Sequence, residues 1–84
     1  MINELKEKYA IITFHGGEEA YVQNFVSIVE LSECFIKIRA VAQILLFEGK
    51  NLTISYMDSN ELLVRGCIEH LRIVEVYVSE TKPG

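Results

Sequence analysis

A chain of 84 residues and 9.6 kDa holds one domain, because the apolar surface it can bury does not serve two cores. Half of the residues are apolar, which excludes the low-hydrophobicity signature of disorder and leaves apolar surface to spare for a subunit contact. Twelve acidic against eight basic residues give a net charge of −4, which excludes the basic stripe expected of a nucleic-acid-binding domain; Lys37 and Arg39 are the nearest approach to one.

Met1 to Lys8 mixes Glu and Lys and lacks the apolar centre of a secretory signal, so residues 1–8 read as a polar segment, with a helical turn over Asn3 to Lys8 marginal by itself. No run of about 18 apolar residues is present to span a bilayer, and the expectation is a cytoplasmic domain without membrane insertion of its own. The folded part is expected over residues 9–78. Residues 79–84, with the only proline, read as a fraying tail.

Tyr9 to Phe14 is β-branched and aromatic and predicts a first strand, turned back at His15-Gly16-Gly17. Ala20 to Asn24 and Ser27 to Leu31 predict one strand broken by a bulge near Asn24-Phe25, and Ser32-Glu33 the next turn. Phe35 to Ala40 alternates, with Ile36 and Ile38 on one face and Lys37 and Arg39 on the other. Gln43 to Glu48 is apolar on both faces, Leu45 and Phe47 on one and Ile44 and Leu46 on the other. Either a second sheet of the same chain covers Ile44 and Leu46, or they form a contact surface for another molecule.

Glu48-Gly49-Lys50-Asn51 predicts a hairpin into Leu52 to Tyr56, with Leu52, Ile54 and Tyr56 on one face. Asp58-Ser59-Asn60 predicts a turn, each residue able to bond its own backbone. Glu61 to Val78 is too long for one flat strand and should bend or break between Gly66 and Glu69. The sum is an all-β domain: a small antiparallel β-sandwich or partly open barrel of about seven or eight short strands.

Candidate chemistry is sparse. Cys34 and Cys67 do not make a C-x-x-C pair, and two Cys and two His in scattered positions fall short of a zinc site; the reading is two free thiols, one of them buried. His15 and His70 are the only imidazoles that could serve a nucleophile, and no spacing ties either to a cysteine. Glu18-Glu19 reads as a solvated pair, and Gly49-Lys50-Asn51 is not a phosphate loop. No catalytic, cofactor-binding or metal-binding residue is assigned. A ligand-binding barrel would need an internal pocket that a chain of this length has little room for.

Phe47-Glu48-Gly49-Lys50-Asn51-Leu52-Thr53-Ile54, followed after a turn by Glu61-Leu62-Leu63-Val64-Arg65-Gly66-Cys67-Ile68, resembles the core of the YabP/YqfC family of sporulation proteins. Upstream, Ile11-Ile12-Thr13-Phe14-His15-Gly16, Tyr21-Val22-Gln23-Asn24 and Ile28-Val29-Glu30 resemble the start of the YqfC branch in the same order. The resemblance covers about Tyr9 to Ile73. It departs where the family usually places Gly, at Ser27 and Gln43, and where YqfC proteins carry Pro-Arg, at Tyr9-Ala10. It implies a part in endospore formation, in the coat or cortex, in the mother cell, beside a membrane protein needed for sporulation; the family has no established catalytic residues to carry over.

These readings converge on a non-enzymatic, self-associating β domain, a dimer in the first instance, that binds a protein partner such as a sporulation membrane protein, with Ile44 and Leu46 at the interface. The alternative is a small thiol-dependent redox protein or enzyme using Cys34 or Cys67. It requires a thiol with a lowered pKa and some exposure.

Overall fold

The computed structural model describes residues 9–76, which form six antiparallel strands. They are β1 (Ile11–His15), β2 (Glu19–Gln23), β3 (Ser27–Leu31), β4 (Phe35–Arg39), β5 (Gln43–Met57) and β6 (Glu61–Glu75). They make one sheet in the order β1-β2-β6-β5-β4-β3, open at its β1 and β3 ends. The domain is all-β, as the alternation of apolar and polar residues predicts. The expected polar segment at 1–8, its helical turn and the tail at 79–84 lie outside the described residues.

The strands are fewer and longer than the sequence suggests, because the hairpin expected at Glu48 to Asn51 does not form. β5 runs straight through it for 15 residues and pairs along its length with the 15 residues of β6. The pairing slips at three places, between Glu48 and Gly49, between Lys50 and Thr53, and between Ile54 and Tyr56. Such bulges bend and twist a strand pair without ending it. The expected irregularity between Gly66 and Glu69 is the β6 side of the first two slips: Glu48 faces His70 while Gly49 faces Ile68, and Lys50 faces Cys67 while Thr53 faces Arg65. The third slip corrects the facing of Tyr56, which stands opposite Leu63, away from the face that Ile54 shares with Val64.

Gly49 is therefore a glycine of close approach rather than a turn glycine. A Cβ there would collide with the backbone carbonyl of Cys67, and a Cβ on Gly66 with that of Asn51. Gly66 also holds φ at +128°, a region L side chains rarely adopt. Ser27 and Gln43, where the resembled family has Gly, both lie in strands and neither has a positive φ.

The long β5–β6 pair is the spine, and each end carries one short hairpin. β1–β2 joins β6 over Glu61 to Arg65, and β3–β4 joins β5 over Ile44 to Glu48. The turn of each hairpin docks beside one of the two glycines. Gly66 and Ile68 donate backbone N–H bonds to the carbonyls of Glu18 and Gly17, and Gly49 and Leu52 to those of Cys34 and Glu33, at 2.7–3.2 Å.

Ala20, Val22, Leu62 and Val64 of one end and Ile36, Ile38, Leu45 and Phe47 of the other bury completely in a single cluster with Leu52. A flat sheet cannot bury one face against itself, so the two ends fold over a common core. A side chain ties them: the Ala10 N–H, just before β1, donates to Gln43 Oε1 at the start of β5 at 2.9 Å. The expected single strand across Asn24-Phe25 is two strands in different ends. Asn24 takes φ +67° there, tolerable for Asn, and Phe25 packs against the core.

Candidate functional site

Directly opposed residues of neighbouring strands share a face, so the registers define the outer surface of the β3–β4 end. One row reads Ser27, Arg39, Ile44 and Val74, the next Glu30, Lys37, Leu46 and Arg72, and a third Phe35, Glu48 and His70. Leu45 and Phe47 point the other way, into the core. The fold thus places Ile44 and Leu46 on the outside, where no second layer of the described chain lies over them. Both are half-buried. Their cross-strand neighbours account for this, since the aliphatic stems of Lys and Arg shield apolar surface while their charged heads stay in water.

The charges on this face are unusual for the molecule. The described residues make two ion pairs, Lys50 with Glu69 at 3.7 Å and Arg65 with Glu19 at 3.3 Å. Lys37, Arg39 and Arg72 take part in neither and surround Ile44, Leu46 and Val74. Glu30 and Glu48 lie at the margins of the same face, beyond ion-pair distance of these cations. Arg72 and Val74 were not legible as members of the patch, because two bulges separate them from the part of β6 whose alternation can be read.

Residues capable of chemistry are dispersed. Cys34 occupies the β3–β4 turn, where its backbone N–H donates to Ser32 Oγ at 3.4 Å, and Cys67 lies in β6 opposite Lys50. Both thiols are free and exposed, which corrects the expectation that one is buried. The alternation of β6 accounts for this: Leu62 and Val64 point inward, so Leu63, Arg65 and Cys67 fall on the outward side. His15 packs edge-on against Tyr21, with ring centroids 5.7 Å apart, and His70 stands opposite Glu48. Among the described residues no Cys–His hydrogen bond occurs, and no three of His, Cys, Asp and Glu gather where they could hold a metal ion.

Glu18, Asn51, Arg65, Gly66 and Cys67 line an open depression of about 340 Å³ at the bulge. Glu19, the expected solvated neighbour of Glu18, is engaged by Arg65.

The most organised polar group is the β5–β6 turn. Tyr56 Oη donates to Asp58 Oδ2 at 2.7 Å, and Asp58 Oδ1 accepts the N–H groups of Asn60 and Glu61 at 2.9 Å. Those bonds stabilise the carboxylate and hold Asp58 below the ordinary range, the Tyr56 bond first among the causes, while the same bond raises the Tyr56 phenol. This is an Asx turn that closes the hairpin, a structural use of the group.

No described helix is long and apolar enough to cross a membrane. No family model, curated protein or solved structure matches the chain.

Proposed function

We propose that this protein is a non-enzymatic β domain that acts in endospore formation through self-association and through binding a protein partner. The observation that carries the binding reading is the outer face of β4, β5 and β6: Ile44, Leu46 and Val74 set among Lys37, Arg39 and Arg72, three cations without ion pairs in the described chain. An apolar centre rimmed by charge has the anatomy of a protein contact, and these charges suit a partner that brings carboxylates around its own apolar residues. The sporulation setting rests on the resemblance to the YabP/YqfC family alone, and with it the mother-cell location and a membrane protein as the partner.

Light scattering coupled to size exclusion, over a concentration series, tests the reading. The wild-type chain is expected at twice 9.6 kDa or more, and Ile44→Asp with Leu46→Asp at lower mass with its fold retained. A monomeric wild type removes self-association, and unfolding of the double variant places the two residues in the core.

A thiol-dependent activity is the second reading, favoured by the exposure of both Cys34 and Cys67. Iodoacetamide labelling across pH tests it: a thiol reactive well below the ordinary cysteine range would support it, and ordinary reactivity at both would end it.

A further inference from the structure

Four stretches of the described sheet lack a strand on one side: β1, β3, residues 53–57 of β5 and residues 69–75 of β6. An unpaired edge presents free N–H and C=O groups to any other strand, and proteins blunt such edges with bulges and charged side chains. Three of these edges are blunted. β3 carries a bulge between Ile28 and Glu30 and the charge of Glu30 itself. Residues 53–57 contain the slip between Ile54 and Tyr56. Residues 69–75 carry Glu69, Arg72 and Glu75.

β1 has neither device. Its five residues, Ile-Ile-Thr-Phe-His, include no Asp, Glu, Lys or Arg and pair with β2 in unbroken register. Ile11 and Phe14 are 43% and 46% exposed. Among the described residues the only closure is at the entry, where the Gln43 side chain accepts the Ala10 N–H, and no described strand pairs with the edge from Ile11 to His15.

We infer that β1 pairs antiparallel with β1 of a second copy, about a two-fold axis at Thr13, so that the two sheets continue into one. The sequence of β1 is self-complementary in that register. Thr13 meets Thr13 of the second copy, a favourable cross-strand pair; Ile12 meets Phe14 on the core side; and Ile11 meets His15 on the outer side, with no like charges opposed. The same operation on β3, about Val29, would set Ile28 against Glu30. This contact lies at the β1–β2 end, apart from the Ile44 and Leu46 face of the β3–β4 end, and so adds a second contact to the self-association proposed above; it rests on that reading.

The test is Thr13→Lys, an exposed position where a charged side chain fits the monomer. Two lysines then oppose each other across the axis, and the Kd for self-association is expected to rise about fivefold or more, with Thr13→Glu acting alike. An equimolar mixture of the two variants should recover the wild-type mass, since Lys then faces Glu. A Thr13→Lys chain that associates like the wild type, or a mixture no tighter than either variant alone, overturns the register. Should either variant unfold, hydrogen exchange of the wild type decides: β1 amides directed away from β2 should gain protection with concentration, and amides that do not would overturn the inference. A wild type monomeric throughout the series defeats both proposals. A Thr13→Lys chain that stays associated, while Ile44→Asp with Leu46→Asp dissociates, defeats only the edge pairing.

Discussion

The two hairpins that flank the spine repeat one another sixteen residues apart: Ile11–His15 and Ser27–Leu31, then Glu19–Gln23 and Phe35–Arg39. Their burial patterns are the same strand for strand, and each docks its turn beside a glycine of the long pair, Gly66 for the first and Gly49 for the second. Toward the core the halves are interchangeable in kind, Val22 answering Ile38 and Ala20 answering Ile36. Toward solvent they diverge. Where the β3–β4 end sets Lys37, Arg39, Ile44 and Leu46 on its outer face, the β1–β2 end has Tyr21, Gln23, Glu61 and Leu63 in the corresponding places. A core dictates volume and apolarity to both ends equally, and the outer faces, free of that demand, are where the ends can take different tasks.

The sharpest way to break the equivalence is at the glycines. If Gly49 and Gly66 play one role in two places, Gly49→Ala and Gly66→Ala should each cost about 3 kcal/mol or more in urea unfolding, because both added methyl groups strike backbone. A mild Gly49→Ala would make it an ordinary strand residue and the repeat superficial. Next in size come the matched core positions. Ile38→Ala should cost roughly 2–5 kcal/mol and Val22→Ala about 2 kcal/mol, in proportion to the carbons removed, if one cooperative core spans both ends. Two separate unfolding transitions would mean two cores.

The outer faces should answer differently. Lys37→Glu with Arg39→Glu should change stability by less than about 0.5 kcal/mol per site, while Leu46→Asp lowers the oligomeric mass and Leu63→Asp does not. Equal loss of mass from both aspartates would make the faces equivalent.

The smallest effect belongs to the β5–β6 turn. Asp58 is held below its unfolded value, so its contribution is present above about pH 3.9 and fades as pH falls through the lowered value; Tyr56 is raised, so its contribution is present below about pH 10 and fades as pH rises toward the raised value. Asp58→Asn should flatten both slopes and return the Tyr56 phenol, followed by its NMR ring signals, to the ordinary tyrosine range.

Much of this was open to reading from residues alone. Alternation of side chains fixes a strand wherever one face must be dry, and so Ile36 and Ile38, or Leu45 and Phe47, announce both the strand and its buried face. The turns at Gly16-Gly17, Ser32-Glu33 and Asp58 to Asn60 follow from backbone preference and short side-chain bonds, which are local.

Gly49-Lys50-Asn51 carries the same local signal and does not turn, because β6 and the β3–β4 turn pair with it from either side and a bulge absorbs the irregularity. Nor could local sequence place Arg72 and Val74 beside Ile44 and Leu46, since register across a bulged pair depends on residues far away in the chain. Composition and periodicity thus determined that this is an all-β domain and which side chains are dry. Which outer residues stand together, and which edge lies open, was decided by long-range pairing, because a one-residue slip exchanges the two faces of a strand.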